Sequence, residues 1–294
     1  MNLVTKLSNN DVVVEIKRTG PTVVIGERIN PTGRKKVLAA LQAGDFDIVR
    51  KDAIKQVEAG AAVLDVNAGV PGADEVALLS EVMKVVMDVV DVPLCIDTAN
   101  PEALEAALKL YPGKALINSA NGEEKSLSSI LPLAKEYNAV VIGLCMDDDG
   151  IPPTPEGRLE VAKKIIQRAT DLGIPVEDIV IDPLAMTMGA DHLAGSVVLE
   201  TTKLLVKELG VNITMGSSNV SFGIPDRKYL NSAFMAMAIQ AGMTCPITNP
   251  LTTEVRTAVL AADLSLGHDE YAMRWIQDFR KRKKAKEEKE AQKA

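Results

Sequence analysis

Histidine is almost missing from this 294-residue chain: only His192 and His268 occur. Both fall in loop or helix-start contexts, where surface roles fit better than metal ligation. With no paired histidines, zinc ligation of that kind, Ser-His catalysis and Cys-His catalysis all lack a signature. Cysteine is also scarce. Cys95, Cys145 and Cys245 lie far apart inside apolar runs, which argues against a disulfide framework and for buried reduced thiols; a three-thiolate zinc site is the sharper alternative. No apolar run approaches the roughly 20 residues that span a bilayer. The opening MNLVTKLSNNDVVVEIK lacks the uninterrupted apolar segment of a signal peptide, so a cytoplasmic protein without membrane attachment is expected. GxGxxG is absent as well, which removes the usual phosphate turn of a doubly wound dinucleotide fold.

What is present is enough apolar material for a large core, at 47% hydrophobic and 25% charged residues. The net charge of -7 conceals an asymmetry: residues 279–294 (FRKRKKAKEEKEAQKA) hold eight Lys or Arg against three Glu, a local +5, so the other 278 residues carry -12. So acidic a body is a poor nucleic-acid binder, and the basic tail reads as a solvated, fraying helix end. No linker rich in Pro, Gly or Ser divides the chain. The expected organisation is one unit over 1–278, with an extension at 1–20, followed by the charged helical tail at 279–294.

Short runs rich in Val, Ile and Leu alternate with segments of helical period. Eight strands are predicted: TVVIGERI (22–29), AAVLDVN (61–67), PLCID (93–97), ALIN (115–118), AVVIGLCMD (139–147), DIVID (178–182), ITMGSSN (213–219) and CPITN (245–249). Eight consecutive strand–helix units of this length suit a closed TIM (β/α)8 barrel. VVVEIKRTGP ends in a turn signal, so the first twenty residues are expected to add a short strand or hairpin across the barrel bottom.

In such a barrel the informative residues are those at the C-terminal strand ends. Seven of the eight runs finish in Asp or Asn: Asp65 with Asn67, Asp97, Asn118, Asp147, Asp182, Asn219 and Asn249. Helix capping is the plain explanation, and it accounts for only part of the set. Asp97 precedes Asn100-Pro101, which already makes a cap and first turn. Asp182 stands a dozen residues ahead of the next helical pattern. Asn219 is followed by VSFGIP and a better cap at Asp226, and Asn118 is separated from its helix by Asn121 and an acidic pair. These four are left free to converge in the mouth as hydrogen-bonding groups. Asp147, in MDDDGIPP, reads as an exposed turn.

Carboxylates and carboxamides are suited to reading a flat heterocycle of alternating donors and acceptors. A pterin, with its 2-amino group and ring N–H edge, asks for that pattern. VVIGERINPTG, LDVNAG, CIDTANPE, INSANGE, VIGLCMD, IDPL and GSSNVSFGIPDR, in this order and each at a strand end, resemble the pterin-binding methyltransferases. These include the methyltetrahydrofolate:corrinoid protein methyltransferases and the folate domain of cobalamin-dependent methionine synthase, distant relatives of dihydropteroate synthase.

The resemblance implies a dihydropteroate-synthase-like TIM barrel that moves a methyl group, reversibly, between a methylated corrinoid protein and N5 of tetrahydrofolate. It assigns the pterin ring to Asp97, Asn118 and Asp182, the pocket lining to Asp65, Asn67 and Glu27, and the position beside the methyl-bearing nitrogen to Asn219 as the catalytic residue. No metal ligand is implied. The base-off corrinoid motif Asp-x-His-x-x-Gly is replaced by DHLAG at 191–195, so the cobalamin is expected on a transient partner protein. A homodimer and a role in an anaerobic demethylation or one-carbon pathway are further expectations. Dihydropteroate synthesis and a non-catalytic folate-binding barrel are the alternatives; the first would need cations around the strand-7 loop and an Asn-rich phosphate loop, where this chain has SSNVS and INPTGRKK.

Overall fold

The computed structural model describes residues 3–291. The chain opens with an antiparallel hairpin, β1 (Val4–Asn9) and β2 (Val12–Lys17), turned by Asn10 at φ 47°. Eight parallel strands follow: β3 (Ile25–Ile29), β4 (Val63–Val66), β5 (Leu94–Asp97), β6 (Leu116–Asn121), β7 (Val140–Leu144), β8 (Ile179–Asp182), β9 (Asn212–Ile213) and β10 (Ile247–Thr248). Each pairs with its neighbour in the chain, and β10 pairs with β3. A parallel bridge between Gly216 and Ile247 joins β9 to β10 and closes the ring.

Among the described residues ten α-helices accompany the strands: α1 (Lys35–Gln42), α2 (Asp47–Glu58), α3 (Glu75–Met87), α4 (Pro101–Leu110), α5 (Glu124–Glu136), α6 (Pro155–Asp171), α7 (Ala194–Leu209), α8 (Arg227–Ala241), α9 (Thr253–Ser265) and α10 (Met273–Ala291). Their starts follow local chemistry. Asn100 accepts from the Glu102 and Ala103 amides ahead of Pro101, Asp74 accepts from Ala77, and Thr154 accepts from Gly157. Asp226, expected to cap α8, does not: it sits at φ 53° and its side chain makes no capping bond. The basic segment, expected as a charged helical tail, is helical to Ala291 as part of α10. None of the described helices is long and apolar enough to cross a membrane.

Strand alternation sorts the core into two layers. Outward residues such as Leu64, Ile96, Ile117 and Ile181 pack with helix residues including Leu79, Leu104 and Ile165. Inward residues Ile25, Val63, Cys95, Leu116, Val140, Val180 and Cys245 fill the barrel, and the hairpin closes its lower end with Leu7 and Ile16, both fully buried. Two further bonds fasten the hairpin: Thr5 donates to Glu177 O at 2.6 Å, and Asn212 donates to Thr5 Oγ1 at 2.9 Å.

At the far end of the chain the buried Asp263 carboxylate accepts from the Thr22 amide (3.0 and 3.1 Å), the Thr22 hydroxyl (2.6 Å) and Arg274 Nη1 (2.5 Å). One side chain therefore ties the entry to β3, the end of α9 and the start of α10. If the hairpin is a plug, Leu7→Ala should lower stability by about 2–5 kcal/mol, while Val13→Ala, on an exposed position of β2, should stay within about 0.5 kcal/mol. Urea unfolding measures both, and equal effects would remove the plug role.

Candidate functional site

The inward series that is apolar low in the barrel becomes polar at its upper rim. Cys95 is followed two residues on by Asp97, Leu116 by Asn118, Val180 by Asp182 and Ile25 by Glu27, so each of these polar groups points into the mouth above a packed floor. On β4 the change comes one step earlier, with Val63 followed by Asp65 and then Asn67.

Four of these residues, Asp65, Asn67, Asp97 and Asn118, gather in one cluster with Asn30 just past β3. Asn118 Nδ2 donates to Asp65 Oδ1 at 3.1 Å, and Asn30 Nδ2 donates to Asp97 Oδ2 at 3.3 Å. Asn67 and Asp65 both lie close enough to Asp97 to act on its carboxyl. Burial, then the neighbouring Asp97 charge, pushes the Asp65 carboxyl well above the usual carboxylate range. Burial raises Asp97 to about 6, against the opposing influence of Asn67 and Asp65. Two carboxyls this close do not both ionise readily, so the pair as a whole holds a proton to higher pH than a free carboxyl does. The Asn118–Ser119 peptide in this cluster is cis.

Asp182 stands in a second position, on β8. Its Oδ1 accepts from the Leu184 amide at 2.7 Å, and the Gly216 amide beyond β9 also faces it. Burial raises it to about 7, because those two amides only partly offset the loss of water. Glu27 makes a third position: Ser218 donates to its Oε2 at 3.2 Å, and burial raises its pKa. Its neighbour Arg28 turns the other way, toward Asp52 on α2, 3.6 Å from the guanidinium. A register shift between Gly26 and Ile29 allows this, with the Arg28 amide satisfied by Gln56 Oε1 at 2.9 Å instead of β4. Gly26 is required for that approach, since a Cβ there would lie 2.6 Å from Gln56 Oε1.

Asn219 is not drawn into the carboxylate cluster. It sits exposed on the short 3-10 turn Ser217–Ser221, close over Gly216, where an added Cβ would lie 3.0 Å from its amide nitrogen. Asn249 is spent on its own loop, accepting from the Leu251 amide at 3.1 Å. Asp147 forms the expected turn, bridged to Gly150 and accepting from Asp149. Asp191 of the DHLAG run accepts from the Leu193 amide ahead of α7.

Sequence reasoning passed over two contributors. Ser218 links β3 to the β9 loop, and its presence within SSNVS gave no sign of a Glu27 partner. Arg158 is buried near Asp182, and the available signal was a cation heading the apolar helical stripe Ala162, Ile165 and Ala169. Two other concavities, a groove of about 460 Å³ between α2, α9 and α10 and a hollow of about 500 Å³ beside Pro152, gather none of the clustered residues.

Residues 26–249 match the sequence profile of the pterin binding enzymes. The chain is 32% identical over 269 residues to the methylcorrinoid:tetrahydrofolate methyltransferase of Eubacterium limosum, covering 89% of this chain and 97% of that one. It is 30% identical over 240 residues to methionine synthase of Mycobacterium tuberculosis, covering 77% of this chain but only 20% of that longer protein. In fold it is similar to dihydropteroate synthase of Xanthomonas albilineans (TM-score 0.68, 20% identity, 89% of this chain and 98% of that one). The Yersinia pestis enzyme bound to a pterine-sulfa conjugate is also similar (TM-score 0.66, 16% identity, with the same coverage).

Raised carboxyl pKa values make a pH prediction with a definite sign. Unfolded Asp loses its proton near about 3.9, whereas the folded protein holds protons on Asp97 to about 6 and on Asp182 to about 7. The folded state binds more protons over that interval, so these groups favour folding at low pH and lose that contribution as pH rises through their folded values. The ligand-free thermal midpoint should therefore rise between about pH 8 and about pH 5.5, and Asp182→Asn should remove a slope of up to about 1.4 kcal/mol per pH unit. An unchanged slope in the variant would contradict the Asp182 assignment.

Proposed function

The chain belongs to the pterin-binding enzyme family, and from that premise we propose that it transfers a methyl group between a methylated corrinoid protein and N5 of tetrahydrofolate. The observation that carries the reading is the set of inward acceptors Asp97, Asn118 and Asp182 at the mouth. They occur in a chain matched nearly end to end by a methylcorrinoid:tetrahydrofolate methyltransferase. The pterin edge offers a 2-amino group and a ring N–H side by side. A carboxylate accepts both, and Asn118 adds one donor and one acceptor.

In the direction toward folate, the N5 lone pair attacks the methyl carbon, the carbon–cobalt pair returns to cobalt as cobalt(I), and the N5 proton leaves. In reverse, N5 must gain a proton as the carbon–nitrogen bond breaks. Asn219 suits both, because its amide can present N–H to a bare nitrogen or C=O to a protonated one, whereas a fixed charge favours one side. Orientation of the two partners for in-line displacement supplies much of the rate. The corrinoid is a substrate held by another protein: His192 is exposed in a turn adjacent to Asp191, a spacing that does not fit the base-off motif. Dihydropteroate synthesis is less well supported, since Arg227, the cation of the β9 loop, already donates to Ser218 O at 2.7 Å and Ser221 Oγ at 2.9 Å.

Anoxic mixing of the protein with tetrahydrofolate and methylcobalamin or a methylated corrinoid protein should generate the cobalt(I) spectrum. Its absence with every methylated corrinoid overturns the proposal. Asn219→Ala should lower turnover about 100-fold with little change in folate affinity. Asp182→Ala should weaken folate binding by about 1.5–3 kcal/mol, the loss of a charge-assisted bond; the opposite pattern would exchange the two roles.

A further inference from the structure

Arg158 opens the first turn of α6 and is only 4% exposed. Its hydrogen bonds go to main-chain carbonyls: Nε donates to Pro152 O at 3.0 Å, and Nη1 donates to Pro183 O at 2.7 Å and Leu184 O at 2.9 Å. Pro152 lies in the loop after β7, and Pro183 and Leu184 lie in the loop after β8, so one cation ties two mouth loops together. Leu184 stands at φ 60°, a strained region for its side chain that persists only when neighbours hold it. Two bonds do so, from its amide to Asp182 and from Arg158 to its carbonyl.

Carbonyls alone do not neutralise a buried guanidinium. The acidic groups whose field reaches it are Cys145, Asp182 and Asp191. Burial keeps the Cys145 thiol protonated, and Asp191 is exposed. Asp182 is therefore the buried acid left to offset the charge. We propose that Arg158 is a positioning residue that clamps the loops after β7 and β8, favours the ionised form of Asp182 and keeps that carboxylate aimed into the mouth for the N–H donors of the ligand. The proposal rests on the reading of Asp182 as a pterin contact. The groups facing Asp182 are Arg158 from α6, Cys145 beyond β7, Cys245 ahead of β10, and the amides of Leu184 and Gly216; Arg158 is the one cation among them.

Two variants of the full chain separate charge from fork geometry. Arg158→Gln removes the charge and keeps a polar planar head, while Arg158→Lys keeps the charge but cannot reach across the carbonyls. In Arg158→Gln, the step in thermal midpoint against pH that Asp182→Asn abolishes should move to higher pH. Its tetrahydrofolate affinity by calorimetry should fall about tenfold at neutral pH and recover as pH rises. Arg158→Lys should leave the step in place and weaken binding at every pH. A folded Arg158→Gln with the wild-type step and binding profile overturns the proposal. Should Arg158→Gln fail to fold, Arg158→Lys decides: wild-type affinity refutes the clamp, and weaker binding with an unmoved step supports it. If wild type itself fails to bind tetrahydrofolate, the folate reading fails, while the ligand-free melting step still tests the pairing of Arg158 with Asp182.

Discussion

A closed ring of strands can send every second side chain only inward, and the interior then has to be filled. In this barrel the filling is apolar from the hairpin plug up to the level of Cys95 and Leu116, and the groups above that floor are carboxylates and carboxamides. Water reaches them from one side alone. The desolvation that raises Asp65, Asp97, Asp182 and Glu27 is thus a product of the same packing that stabilises the barrel. Loosening the floor would rehydrate the rim and bring those groups back toward ordinary acidity.

That linkage bears on recognition. Without ligand, the carboxyl pair eases its repulsion by holding a proton, with Asn118 donating to Asp65 and Asn30 donating to Asp97. On the proposed reading, a heterocycle that brings its own N–H groups gives Asp97 and Asp182 donors in a site of low polarity, where such bonds count for more than in water.

Much of this was legible in the sequence because period-two alternation and strand-end residues are local signals. The eight strands and the hairpin follow from spacing, and so do Asp97, Asn118 and Asp182 at the strand ends; Asp65 came with the family resemblance, and Asn219, singled out with the other three, stands apart on an exposed turn. The β3 irregularity was not legible: it depends on Gln56, which arrives from a helix nearly thirty residues on, and it separates Glu27 from Arg28 in a way that GERIN does not announce. Asp226 looked like a cap because of its type and place, yet the backbone there is left-handed and the helix starts without it. Arg158 was missed because its partners are carbonyls, which every residue carries and no motif records.

The Asp263 knot joins Thr22, just before the first barrel strand, to Arg274, at the start of the last helix. Its partners are separated by nearly the whole barrel, and the seam between β9 and β10 closes late in the chain as well. During synthesis, β3 therefore emerges early and waits for both its outer neighbour β10 and the carboxylate that receives the Thr22 amide. Long-range closures of this kind come slowly, because loop entropy is lost before contacts compensate. Until Asp263 and β10 have left the ribosome, the outer edge of β3 has no strand to pair with.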